Sequence, residues 1–242
     1  MNVARAICPH SPPTRTYAVG AAILRDSSSL AARPRHQPSV NAGGAGMREW
    51  RPDINIRSVT IRKAKPEDAR AWESLSIRVW RDAYRHIFPE EVFLEKENRL
   101  EEKIARFRDW AKNDSESITY VAEYDGTIIG IMCGSIRSSY EPFLSDCADL
   151  IALYVDPAFQ GQGIGTAFRK TFEKWACRNG ASQYVIGVLE ENRKARKVYE
   201  AWGGTLSEQE MDFVKRNVAY PVVFYTFCLK RAMDSSETAD DP

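Results

Sequence analysis

The chain has 242 residues, a formal net charge of +1 and five cysteines. That length is enough for one substantial core, the near balance of charge excludes the usual basic nucleic-acid footprint, and no apolar run approaches the ~18 residues needed to cross a bilayer. Cys8, Cys133, Cys147, Cys177 and Cys228 fall into no metal-ligand spacing, and their odd number fits reduced thiols, so a cytoplasmic protein without a metal or disulfides is expected.

Up to residue 47 the chain carries Arg5, Arg15, Arg25, Arg33 and Arg35 against Asp26 alone, in a background rich in Pro, Ser, Ala and Gly. Three readings stay open for residues 1–56: a disordered basic extension, with Met47 as a second candidate start; an Arg-rich transit peptide; or a secretory signal around residues 17–24. A single domain is expected over residues 57–231. It opens with a strand over 58–64, then a helix from about Glu67 to Tyr84, with Pro66 at its entry and Trp72, Leu75, Val79, Trp80 and Ala83 on one face. A second helix is predicted from about Glu90 to Lys112, charge alternating along its exposed side. Residues 118–124 and 127–134, joined by Asp125-Gly126, read as a hairpin.

Residues 150–155 form an apolar, β-branched run that Asp156-Pro157 stops. The loop Gln160-Gly161-Gln162-Gly163-Ile164-Gly165 follows, then a helix over 166–177 with Phe168, Phe172, Trp175 and Ala176 at helical spacing and Gly180 as its stop. Glycines let the backbone approach a ligand closely, and the unpaired amides of a first helical turn attract anions, so the loop reads as a phosphate cradle. A second strand over 184–189 leads through Glu190-Glu191-Asn192 into a helix over 193–202 that ends at Gly203-Gly204. Strands over 210–214 and 222–229 complete the domain, and 232–242 form a solvated acidic tail. The loop is not a dinucleotide fingerprint, because Thr166 stands where G-x-G-x-x-G needs its last glycine, and no Gly-Lys-Ser/Thr completes a P-loop.

Gln160, Gly163 and Gly165, followed by Asn192 after the second strand and Tyr199 on the next helix, resemble the paired motifs of the GCN5-related N-acetyltransferase (GNAT) family, and the resemblance covers about residues 57–231. It implies an α/β (α+β) fold with a central mixed sheet of six to seven strands flanked by helices, splayed between strands 150–155 and 184–189. It also implies an acetyl-CoA-dependent N-acetyltransferase that needs no metal. The backbone of Gln160, Gly161, Gln162, Gly163, Ile164, Gly165 and Thr166 would hold the diphosphate. Exposed amides of Leu153 and Val155 would meet the pantetheine arm and thioester, and Asn192 would contribute to coenzyme binding or simply cap its helix. Tyr199 is the candidate acid for the leaving thiolate, since a phenol near ~10 is still protonated where a thiol near ~8.5 titrates; packing alone is the competing reading.

For the base, Asp149 is the first candidate and Glu123 the second, with a water chain able to replace both. Arg193, Lys194, Arg196 and Lys197 either neutralise phosphates or form a solvated face. Trp80, Tyr84, His86, Phe88 and Phe93 either line an acceptor pocket or belong to the core. Glu90, Glu91, Asp146 and Asp149 favour a small cationic amine as the acceptor. A protein amine and a non-catalytic acyl-CoA sensor remain as alternatives, and the protein is expected as a monomer or homodimer without nucleic-acid or membrane partners.

Overall fold

The strand before the glycine loop and the one after it are apolar at nearly every position, the pattern of strands covered on both faces. The computed structural model bears this out. It describes residues 54–229 apart from 114–115, 139, 141–142 and 144–146, with the side chains of 109–113 also left aside. The N-terminal extension before Ile54, the acidic tail, Cys8 and Asp146 lie outside the described residues.

The elements run β1 (Thr60–Lys63), α1 (Ala69–Tyr84), α2 (Glu90–Asn98), α3 (Leu100–Asn113), β2 (Ser117–Tyr124), β3 (Thr127–Ser135), β4 (Cys147–Val155), α4 (Ile164–Arg178), β5 (Gln183–Leu189), α5 (Arg193–Ala201), β6 (Thr205–Lys215) and β7 (Val218–Cys228). The strands form a seven-stranded sheet ordered β1-β2-β3-β4-β5-β7-β6. Only β4 and β5 run parallel, and α4 is the crossover between them. The mixed sheet expected from the resemblance is therefore present, at the upper end of its strand count.

On one face α4 buries Phe168, Phe172 and Ala176 against Ala122, Met132, Leu150 and Tyr184. Gly130 permits that approach, because a Cβ there would stand 2.8 Å from the Phe168 ring. On the other face α1 and α3 pack Trp72, Leu75, Ile104 and Phe107 over Val121, Ile131 and Ala152. The end of α1 and α2 pack Trp80, Tyr84, Phe88 and Phe93 over Val185, Leu189 and Phe224.

Three expectations are corrected. The helix predicted from Glu90 to Lys112 is two helices, broken at Arg99 (φ −95°, ψ 12°). Val92 and Phe93 belong to one apolar cluster and Ile104 and Phe107 to another, and α2 and α3 each follow their own cluster. The last two strands are longer than predicted, β6 at both ends and β7 at its start, since Arg216 (φ 51°) and Asn217 (φ 60°) make a tight primed turn between them. An arginine at the first position of such a turn gives little signal in sequence. Finally, β4 begins at Cys147, so Asp149 sits within the strand rather than at its start.

An ion-pair network closes the start of the domain. Arg62 donates to Asp68 at 2.7 and 2.9 Å and to Glu123 at 2.8 Å, and Asp68 also accepts the Lys65 N–H at 2.7 Å. Burial acts to raise the Asp68 carboxyl, but its bonds from Arg62 and Lys65 and the Arg62 charge outweigh this and hold it below its usual value. Its ionised form therefore stabilises the fold above the unfolded carboxylate value of ~3.9, and that stability disappears as pH falls through the lower folded value. Asp68→Asn is expected to cost about 1–3 kcal/mol in urea unfolding at pH 7, with the gap from the native chain closing below about pH 4. An equal gap at every pH would show that charge is not the cause.

Candidate active site

β4 and β5 pair over three residues only, Cys147 with Gln183, Ala148 with Tyr184 and Asp149 with Val185. Beyond that point β4 stays with β3 as far as Val155, while β5 stays with β7 as far as Leu189. The two neighbours thus part company at the middle of the sheet. Between Cys133↔Ala152 and Ser135↔Asp149 the β3–β4 register slips by one residue, with the extra one on β4. Such a bulge adds local twist to its strand and accounts for the divergence.

The opening is a small cavity of about 30 Å³, lined by Leu150 to Tyr154 on one side, Ile186 to Val188 on the other, and by Tyr84 and Tyr199. Room on that scale admits a water or two before the strands part further. The Asp156 N–H donates to the Ile129 carbonyl at 2.9 Å, so Asp156 faces β3. Alternation along an extended strand then turns the Leu153 and Val155 amides away from β3, towards the opening. The Val155 carbonyl agrees with this, since it accepts from Gln160 Nε2 at 2.9 Å rather than from β3.

The glycine loop lies at the C-terminal end of β4. Gly161 (φ 81°) and Gly163 (φ 87°) are left-handed, a region that side-chain-bearing residues rarely adopt. Gly163 is the N-cap of α4, which begins at Ile164, two residues earlier than the sequence suggests. The first helical bond runs from the Ala167 N–H to the Gly163 carbonyl, leaving the amides of Ile164, Gly165 and Thr166 without intrahelical partners. No acidic residue occupies that first turn, so the positive end of the helix is not neutralised from within it. The loop's side chains brace it. Gln160 bonds Val155 and also accepts from Lys194 Nζ at 2.6 Å, and Gln162 Oε1 accepts the Ile54 N–H at 3.0 Å.

Tyr199 stands on α5, half-buried, its ring 5.7 Å from Trp202 and 5.8 Å from Tyr225. Among the described residues none hydrogen-bonds its hydroxyl, and Tyr199 is one of the residues lining the opening. Burial first, and Tyr84 second, push its phenol above the usual value, so it is protonated at neutral pH. Asn192 does cap α5, its side chain accepting the Ala195 N–H at 3.1 Å.

Other expected site residues fall elsewhere. Asp149 is 2% exposed, pairs with Val185 where the strands last touch, and is not among the residues lining the cavity. Behind burial, its charge helps push the Cys133 and Cys147 thiols up, the latter to about 12, which places the carboxyl among them. Glu123, on β2, is engaged by Arg62 of β1. Glu90 is paired with Arg81 at 2.6 Å and Glu91 is exposed on α2, so with Asp149 buried these three do not form the acidic acceptor patch expected from sequence. Trp80, Phe88 and Phe93 are core, His86 is exposed, and only Tyr84 of that set reaches the opening. Arg196 bonds the Tyr225 hydroxyl and the Glu190 carbonyl.

Sequence reasoning missed Tyr154. It alternates with Leu153 and Val155 on β4, so its side chain crosses to the α1 face, where its hydroxyl accepts from Trp80 Nε1 at 3.1 Å. That alternation, with Trp80 and Tyr84 one turn apart on α1, was the available signal.

The acetyltransferase (GNAT) family model matches residues 77–203. The chain is 27% identical over 157 residues to an aminoglycoside N(6')-acetyltransferase type 1 of Stenotrophomonas maltophilia, covering 64% of this chain and 91% of that protein. To the uncharacterised N-acetyltransferase YuaI of Bacillus subtilis it is 30% identical over 136 residues, 55% of this chain and 73% of the relative. Among solved structures it resembles the PaiA N-acetyltransferase of Thermoplasma acidophilum in complex with coenzyme A, with a TM-score of 0.56 and 19% identity over 70% of this chain and 99% of that one.

Proposed function

Because the chain belongs to the acetyltransferase (GNAT) family and is an N-acetyltransferase, we propose that it moves the acetyl group of acetyl-CoA directly to the primary amine of a small molecule. The observation that carries this is the parting of β4 and β5 beyond Asp149 and Val185, with the glycine loop at one end of the opening and Tyr199 beside it. An acyl thioester laid through that opening supplies an electrophilic carbonyl carbon; the amine nitrogen bonds to it, the carbon–sulfur bond breaks, the amine loses a proton and sulfur gains one.

The chain's own groups divide that work. The amides from Gly161 to Thr166 hold the diphosphate, helped by the positive end of α4. The amides of Leu153 and Val155 bind the pantetheine arm and polarise the carbonyl as its oxygen gains charge. Tyr199, kept protonated by burial, donates to the departing sulfur. Asp149 lies outside the cavity lining, so we assign the proton leaving the amine to water rather than to this carboxylate directly. Gln160 and Gln162 act through their braces, keeping the loop in shape. The small-molecule reading is supported by the aminoglycoside relative, which matches over 91% of its length.

Release of free thiol from acetyl-CoA across a panel of amines and peptides tests it. Turnover with a small primary amine is the expected result. Turnover with peptide amines alone would move the acceptor to proteins, and tight coenzyme A binding with no thiol release from any acceptor would leave a sensor.

A further inference from the structure

The turn of α5 that carries Tyr199 is gripped from a second helix. It ends in a glycine cap: Gly203 (φ 84°) is left-handed, its N–H donates to the Glu200 carbonyl at 2.9 Å, and the Gly204 N–H donates to the Tyr199 carbonyl at 2.9 Å. The Trp202 carbonyl at the end of the same turn is taken by Arg169 Nη1 of α4, at 2.9 Å. That guanidinium also stands 5.2 Å from the centre of the Trp202 ring. Its Nε lies 3.3 Å from Glu173, whose carboxylate accepts the Tyr184 hydroxyl at 2.8 Å, so Arg169 is itself held from β5. Gly165, one turn before Arg169 on the same face of α4, lies against Trp202 too, since a Cβ there would be 3.7 Å from the indole.

α5 has little else to fix this turn. None of its residues is buried, Val198 is 41% exposed, and Ala195 and Tyr199 are only partly covered by the core. The C-terminal end of a helix attracts cations, yet the last turn of α5 holds Glu200 and no basic residue, so the cation there comes from α4. The other ties act elsewhere on the helix: Lys194 bonds Gln160 at its exposed start, and Tyr225 bonds Arg196 and Glu200 on the flank towards β7. Resting on the reading of Tyr199 as the acid, we infer that Arg169 is a positioning residue for that phenol. It locks the C-terminal turn of α5 to the helix whose first turn holds the diphosphate, and so sets the distance from the Tyr199 hydroxyl to the departing sulfur. Proton donation needs the two atoms within hydrogen-bond reach, and a displacement of ~1 Å is enough to slow a reaction about 100-fold. The Arg169 side chain is 19% exposed and spent on Trp202 and Glu173, so it is not a cation kept for the coenzyme phosphates.

A double-mutant cycle tests the inference, read by single-turnover acetyl transfer to the fastest amine of the panel and by calorimetry with coenzyme A. Arg169→Met is expected to slow the chemical step about 10- to 100-fold while coenzyme A affinity stays unchanged. In a Tyr199→Phe background the same substitution is expected to slow it no further, because the phenol through which Arg169 acts is already gone. Melting temperature falls whether the role is positioning or merely structural, so it does not decide between them. Arg169→Lys keeps the charge and a donor and is expected to recover part of the rate; if Arg169→Met fails to fold, Arg169→Lys is compared in the two backgrounds instead. A native rate in the Arg169 variant, an equal slowing in both backgrounds, or a slowing accounted for by weaker coenzyme A binding overturns the inference and leaves the Tyr199 reading standing. A native rate in Tyr199→Phe, or no turnover with any amine of the panel, rejects that reading and the inference with it.

Discussion

Tyr199→Phe is expected to lower the rate of the chemical step by about 10²- to 10⁴-fold while coenzyme A affinity and melting temperature barely move. The substitution keeps the ring against Trp202 and Tyr225, and among the described residues it breaks no hydrogen bond, so its structural cost stays under about 1 kcal/mol. What it removes is the phenol proton of a residue lining the opening, a group whose pKa burial and Tyr84 keep above that of the thiolate it would serve. Only an interaction stronger in the transition state than in the ground state changes kcat in this way. Single-turnover measurement is the check, because slow product release can hide a defect in chemistry. A normal single-turnover rate would assign Tyr199 to packing.

Gly163→Glu is expected to abolish measurable coenzyme A binding by calorimetry, and Gly165→Ala to leave it intact. At Gly163 the backbone is left-handed (φ 87°), so any side chain strains the loop, and a carboxylate would place negative charge at the positive end of α4 where the diphosphate is proposed to sit. The nearest atom to a Cβ there is Ile56 Cγ1 at 3.9 Å, so the effect comes from conformation and charge rather than collision. At Gly165 the φ is ordinary and an added Cβ would meet Leu153 at 3.6 Å and Trp202 at 3.7 Å, normal contact distances. Equal losses at both positions would mean that loop integrity alone, and not the cradle, is being measured.

Glycines at fixed offsets, an Asn after a strand and a Tyr on the next helix are local signals: the glycines lie in the loop after β4, Asn192 caps α5, and of these residues Tyr199 lines the opening between β4 and β5. Local patterning also marked β4, β5, the β2–β3 hairpin with Asp125 (φ 47°) and Gly126 (φ 70°), and the faces of α1 and α4. It did not mark the break at Arg99, because the charge pattern of α2 and α3 does not say that their apolar residues join separate clusters.

The acidic residues fared worst for the same reason. Glu90 was read as part of an acceptor patch and Asp149 and Glu123 as candidate bases, but their surroundings depend on long-range neighbours: Arg81 for Glu90, Arg62 for Glu123, and the interior of the sheet for Asp149. A carboxylate is a candidate base only where nothing else has claimed it, and the claimants lie on other elements. Tyr154 is the converse case. Its residue type and strand alternation are visible in sequence, but its pairing with Trp80 spans 74 residues and exists only once α1 lies across β4. By itself the sequence determined the order of the strands, the glycine loop and the family's paired motifs, since these depend on neighbours within a few positions. Only the tertiary structure decided where β4 leaves β5 and which phenols and carboxylates face the gap, because a side chain's partner, burial and proton state are set by whichever distant segment folds against it.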